Sequence, residues 1–258
     1  VEISATQRTL DANKNFSREE SAPVEALSFD MNFETGRPPA SRLLQFHKGR
    51  VWMVPQFNNT GIAFTNLTSV SGGYDPEGWP AFNLIVPTAP RMSSITAIAP
   101  YNAVLLVHCD NGIVAVSGVS DNIDSADSLR ADPLLTDAGA LGPRSWVNAG
   151  NVHYFTCKYG PKALLGSEIV DIDKFVGGIT QEWDSKDYNA QDMAVTHYRA
   201  DGKDQVWFTY SEGPALMDKA LVFDVSPDED QRTWVQWTLL GARSVVMSED
   251  GDGREGTL

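Results

Sequence analysis

The chain reads as an all-β protein, a β-propeller-like array of four-stranded antiparallel blades behind an irregular N-terminal arm. Three observations carry that reading. From Ser41 onward, short runs of β-branched, aromatic or aliphatic residues are fenced by Gly, Pro, Asn or Asp, the grammar of strands and turns. The runs come in pairs that meet at glycine-bearing tips, as hairpins do. The pairs recur about every 50 residues, close to the repeat of a four-stranded propeller blade. A β-sandwich of similar strand density is the alternative.

Residues 1–40 are polar and irregular, and Gly36, Pro38 and Pro39 close them, because proline removes a donor and restricts the residue before it. They are expected to form an arm or linker. Within it Val24 to Phe33 alternates in polarity and reads as a strand that pairs elsewhere. Four hairpins follow. Arg42 to Phe46 and Arg50 to Val54 flank His47-Lys48-Gly49, and Val104 to His108 and Ile113 to Ser117 flank Asp110-Asn111-Gly112. Ser145 to Asn148 and Val152 to Cys157 flank Ala149-Gly150-Asn151, and Ala194 to Tyr198 and Gln205 to Tyr210 flank Asp201-Gly202-Lys203. The strands opening at Val51, Ile113, Val152 and Val206 are taken as equivalent. Two short helical connectors are expected, at Ser167 to Phe175, where Ser and Glu168 make an N-cap-like start, and at Ser125 to Leu135 before Pro133. A fifth, half-written copy is expected at Val235 to Leu239 and Arg243 to Met247. The propeller domain therefore spans 41–258, with an incomplete last blade.

Composition bounds the function. The 258 residues carry 34 acidic against 20 basic side chains, a formal charge of -14, and the basic residues stand singly. A sequence-independent nucleic-acid clamp needs a basic face and is excluded. The longest apolar stretch, near Ala103 to Val107, is far too short for a spanning helix, so no membrane anchor is expected. Cys109 and Cys157 read as buried thiols rather than a disulfide framework.

Motifs that carry chemistry are sparse. No nucleophile elbow, P-loop, dinucleotide fingerprint or His-Glu-x-x-His pair occurs. His47, His108, His153 and His197 belong to different blades and are expected to bond backbone separately, not to converge. Asp250, Asp252 and Glu255 around Gly251 and Gly253 form a weak calcium candidate that reads better as a solvated acidic turn. No cofactor is expected. Ser226 to Trp234 is similar to the Asp-box of sialidase-like propellers, with Asp230 in place of its glycine and one extra residue before Thr233. Trp79 lies in the loop Tyr74-Asp75-Pro76-Glu77-Gly78-Trp79-Pro80 and reads either as an aromatic grip or as packing over a blade edge.

The order of these pieces resembles a known family. Pro39-Ala40-Ser41-Arg42-Leu43-Leu44-Gln45-Phe46 leads into Gly49-Arg50-Val51-Trp52-Met53, followed by Gly61 to Thr65, Ile95 to Ile98 and Val104 to Val107. Asp110 to Ile113, Gly142 to Ser145, Gly150 to Phe155 and Ala220 to Asp224 before Trp234 complete the match. In this order they are similar to tailed-bacteriophage tail proteins of the nozzle (tail tubular protein B) type, over residues 39 to about 240. Trp52-Met53-Val54 departs from the family's serine-ended Trp-Phe-Ser strand. The resemblance implies a non-enzymatic virion protein in a homo-oligomeric ring, a hexamer by family, that contacts other tail or adaptor proteins around the DNA ejection path. DNA would be transient cargo, and a lumen of net negative charge would keep it from sticking. Subunit contacts are expected at loops and arm, with Tyr74, Asp75, Glu77, Trp79, Phe29 and Phe33 as candidates. The rival readings are a carbohydrate- or receptor-binding adhesin using Trp79 and Tyr74, and a glycan hydrolase on the same scaffold.

Overall fold

The structure, a computed structural model, describes residues 38–65, 79, 83–87, 94–118, 129–170, 172, 193–200, 202–211, 217–225, 233–242, 247–249 and 255–257. The chain divides into two compact units, Val1–Pro87 with Val116–Ala131, and Thr88–Ala115 with Asp132–Leu258.

The first unit holds a four-stranded sheet in the order β1 (Ser41–His47), β2 (Arg50–Pro55), β3 (Ile62–Phe64), β4 (Leu84–Ile85). Its opening hairpin turns on Lys48 and Gly49, both at positive φ (51° and 72°), the backbone of a type I′ turn that matches strand twist. Trp52 is fully buried against Phe64, ring centroids 4.7 Å apart, and its indole N–H donates to the His47 carbonyl at 3.0 Å. Arg50, also buried, donates to the Thr65 carbonyl at 2.7 Å, with its guanidinium 5.6 Å from the Phe64 ring centroid. Each buried aromatic contributes roughly 2–3 kcal/mol.

The second unit holds the larger part of a sheet formed by β5 (Ile95–Tyr101), β6 (Val104–Cys109), β7 (Gly112–Ser117) and β8 (Arg130–Leu135). It also holds a third sheet, β9 (Trp146–Ala149), β10 (Val152–Cys157), β11 (Gly160–Leu165) and β12 (Glu168–Val170). A fourth comprises β13 (Ala194–Ala200), β14 (Lys203–Tyr210), β15 (Met217–Asp224) and β16 (Trp234–Ala242), and β17 (Met247–Glu249) pairs with β18 (Glu255–Thr257). In every four-stranded sheet spatial order follows sequence order, so each is an antiparallel meander, the blade unit of a propeller-like all-β fold. No described residue is α-helical.

Several expectations are corrected. Ser167 does not cap a helix: Gly166, at φ 65°, and Ser167 form the tight turn that pairs Leu165 with Glu168, and Glu168–Val170 is an edge strand. Residues 130–135 form strand β8, where Pro133 is tolerated because the strand stands at a sheet edge and needs no donor on its open side. Val235 to Leu239 does not begin a fifth blade; it lies in β16, the fourth strand of the fourth sheet.

The repeat is also shifted in one place, since Ile113 lies in a third strand rather than a second. The true second strands open at Arg50, Val104, Val152 and Lys203, intervals of 54, 48 and 51 residues (50 to 104, 104 to 152, 152 to 203). The proposed strand Val24 to Phe33 and residues 226–232 of the Asp-box-like segment lie outside the described residues.

The two larger apolar clusters of the second unit lie between sheets. One gathers Tyr101, Leu106, Ile113, Phe155, Cys157 and Leu164 with five alanines between the second and third sheets. The other gathers Tyr154, Val206, Phe208, Tyr210, Leu221 and Phe223 between the third and fourth.

Candidate functional site

Two histidines expected to stand apart meet inside the second unit. His108 of β6 and His153 of β10 are both fully buried, with their Nε2 atoms 3.0 Å apart. Their second strands belong to consecutive sheets, which is why residues 45 positions apart in sequence come together. Aromatic rings enclose them: Tyr101, Trp146 and Phe155 have centroids 5.8, 5.6 and 5.8 Å from that of His153.

The protons of the pair are fixed by two backbone groups. Ala140 N–H donates to His108 Nδ1 at 3.1 Å, so that nitrogen carries a lone pair and the proton of neutral His108 sits on Nε2. That proton points at His153 Nε2, which must accept, and His153 therefore carries its own proton on Nδ1. There it donates to Asn148 Oδ1 at 2.7 Å. Asn148 Nδ2 in turn donates to the Pro100 carbonyl at 2.6 Å. One end can only donate and the other can only accept, and both ends give the same tautomers. Ala140 is held through its carbonyl as well, which accepts from Thr96 Oγ1.

This arrangement favours neutral rings. Burial holds His108 well below the usual histidine range, with the charge of His153 acting in the same direction, and burial pushes His153 down to about 3. It also opposes metal binding at His108, because a metal on Nε2 of a neutral imidazole requires a proton on Nδ1, where Ala140 N–H already donates. Among the described residues no group of three or more His, Cys, Asp or Glu is placed to hold a metal ion.

Tyr101 ties the same seam with one oxygen. Its hydroxyl donates to the Asn151 carbonyl at 2.8 Å and accepts from Gly166 N–H at 2.8 Å, joining β5 to the tips of two hairpins in the third sheet. Close approach completes the seam: a Cβ on Gly139 would lie 2.1 Å from the Cys109 carbonyl oxygen and 2.5 Å from that of Gly112. Cys109 and Cys157 form no disulfide, and burial with the neighbouring Asp110 pushes the Cys109 thiol up to about 12.

The remaining histidines stand elsewhere. His197 faces Asp204 at 2.7 Å across the β13–β14 hairpin. His47 ends β1, and burial with nearby Lys48 lowers its pKa.

Of the expected interface residues, Trp79 is described and is 5% exposed, packed with Met53 and Ala63, so its ring faces core rather than solvent. Tyr74, Asp75, Glu77, Phe29 and Phe33 lie outside the described residues, as do Asp250 and Asp252 of the acidic turn. Glu255 opens β18 and pairs with Glu249.

One exposed feature of the fourth sheet was absent from the expected set. β16 is nine residues long, borders no further strand among the described residues, and contains neither a charge nor a proline. Val235 and Trp237 alternate along it, each 49% exposed. Trp237 also meets Trp207 edge to face, centroids 5.1 Å apart.

No protein-family model matches the chain, and no curated protein matches it. Among solved structures, it is similar to the extracellular domain of a protein described as a one component system from B. thetaiotaomicron, at 12% identity and a TM-score of 0.40. That alignment covers 84% of this chain and 25% of the other, so the chain spans about a quarter of that structure's length.

Proposed function

We propose that the chain is a structural, non-enzymatic subunit that works by assembling with copies of itself, as in a ring of a bacteriophage tail around the DNA ejection path. The uncharged open edge of β16 is the observation that carries the reading. Natural sheets blunt such edges with charge, proline or short length. The other edges here follow that rule: β8 has Arg130, Asp132 and Pro133, β1 has Arg42, β13 has Arg199, and β12 is three residues with Glu168. β4 and β9 are two and four residues long, and β5 is largely buried and contains Pro100. β16 alone among these edges is long, exposed and without such a guard.

Its occupant is a second copy. At a formal charge of -14, two copies repel each other over most of their surface, and an uncharged strand is where they can approach. The exposed strand offers backbone groups for pairing, and Val235 and Trp237 supply apolar contact. Partner tail proteins and transient DNA belong to the same reading, supported by the ordered strand pattern from residue 39 to about 240.

Light scattering on the purified chain is expected to show a multimer that Val235→Lys converts to monomer. A monomer at all concentrations overturns self-assembly. Electron microscopy of the parent particle tests the tail, and a ring seen anywhere else overturns that assignment.

A further inference from the structure

The hydrogen-bonded chain running Ala140, His108, His153, Asn148, Pro100 has a property that assembly does not require. Two of its links, Ala140 to His108 and His108 to His153, hold together only while both rings are neutral. A proton added at His153 Nε2 would face the Nε2–H of His108. To accept it, His108 would have to move its own proton to Nδ1, where the fixed Ala140 N–H already points. A proton added at His108 Nδ1 meets that same amide directly. Neither histidine can take a proton while the chain is closed.

We infer that this chain is an acid-released latch: it holds the second and third sheets together while both rings are neutral, and the seam opens by taking up two protons. Among the described residues packed on the pair, none supplies a charge to offset them. The elements packed on the pair contribute Tyr101 and Pro100 from β5, Trp146 and Asn148 from β9, Phe155 from β10 and Ala140 from the preceding segment. Tyr101 is the titratable group among them, and its hydroxyl is engaged with Asn151 and Gly166. The neighbouring Asp110 and Lys158 lie toward the hairpin tips, where Lys158 bonds Asn111 at 3.1 Å. Once the seam opens, both imidazoles meet water and titrate in their ordinary range near 6.5. The opening constant therefore rises as pH falls below that range, by up to about 100-fold per pH unit when two protons are taken up.

The test is hydrogen exchange of the intact chain between pH 7.5 and 4.5, corrected for the intrinsic rate at each pH. The Ala140 amide and its neighbours in β6 and β10 are expected to lose protection with a slope approaching two protons, ahead of amides in β14 and β15. His153→Phe is expected to reduce the slope to about one, and His197→Gln to leave it unchanged. Protection that does not depend on pH, or that is lost equally in β14 and β15, overturns the latch. If His153→Phe does not fold, ¹⁵N spectra of the unaltered chain at pH 7.5 still decide. They are expected to show His108 protonated on Nε2 and His153 on Nδ1, and the opposite pattern at either ring overturns it. The inference stands whether or not the chain assembles with itself.

Discussion

The two seams of the second unit are built on opposite principles. Between the third and fourth sheets the contact is made by large rings: Phe223 lies 6.1 Å from Tyr154 of the third sheet, and within the fourth sheet Trp234 backs it, 4.7 Å from Phe223 and 5.6 Å from Phe208. Between the second and third, alanines and Gly139 bring backbones together around a buried polar chain. An apolar seam tolerates local repacking and is indifferent to pH, whereas a polar chain is stable only while every member is satisfied. The difference shows how one meander, repeated, can join its neighbour either permanently or conditionally.

The sharpest way to break the contrast is Gly139→Ala. Its Cβ would meet two backbone carbonyls that no rotamer change can move, so a loss of more than about 4 kcal/mol in denaturant unfolding is expected. A tolerated alanine would mean that the close approach is not needed. On the other seam, Phe223→Ala removes a ring that is 2% exposed and is expected to cost about 3–4 kcal/mol, by the same amount at pH 7.5 and pH 5.

His153→Phe keeps a ring in place but strands the Nε2–H of His108 and the Asn148 oxygen, and is expected to cost about 2 kcal/mol at pH 7.5. Its penalty should shrink in acid. The folded pKa of His153 is lowered to about 3 from 6.5, so the stability tied to its neutral form is complete above 6.5 and declines as pH falls toward 3. The decline is at most about 1.4 kcal/mol per pH unit for each buried histidine. A thermal midpoint that falls equally with pH in the variant and the unaltered chain would remove the distinction between the seams. Val235→Lys is expected to change monomer stability by less than about 0.5 kcal/mol while abolishing association, because that residue touches water rather than either seam.

Much of this architecture was legible in the residues. Lys48-Gly49, Gly150-Asn151 and Gly202 mark hairpins at the positions where the backbone does turn, and their glycines take the positive φ that glycine permits. Asn111-Gly112 marks a hairpin too, with Gly112 already inside β7 and outside the positive-φ set. The errors have local causes. Ser167-Glu168 mimics a helix start because serine serves turns and caps alike, and only the positive φ of Gly166 separates the two. The tip between β5 and β6 carries Asn102 at φ 51° and no glycine, which hid a hairpin and shifted the apparent repeat by one strand.

That slip also concealed the histidine pair. Aligned on true second strands, His108 and His153 fall in the same strand of consecutive sheets, and their meeting becomes a reasonable expectation. The polarity of their protons was not legible, since it depends on the Ala140 amide and the Pro100 carbonyl, which no side-chain pattern announces. The uncharged run of β16 is visible in the sequence, where it reads as the start of a further blade.

The hydroxyl of Tyr101 has a kinetic consequence. Because a single oxygen binds the carbonyl of Asn151 and the amide of Gly166, neither hairpin tip can fray without loosening the grip on the other. The two tips should behave as one cooperative foldon, and Tyr101→Phe should decouple their opening rates while leaving the shape of both turns unchanged.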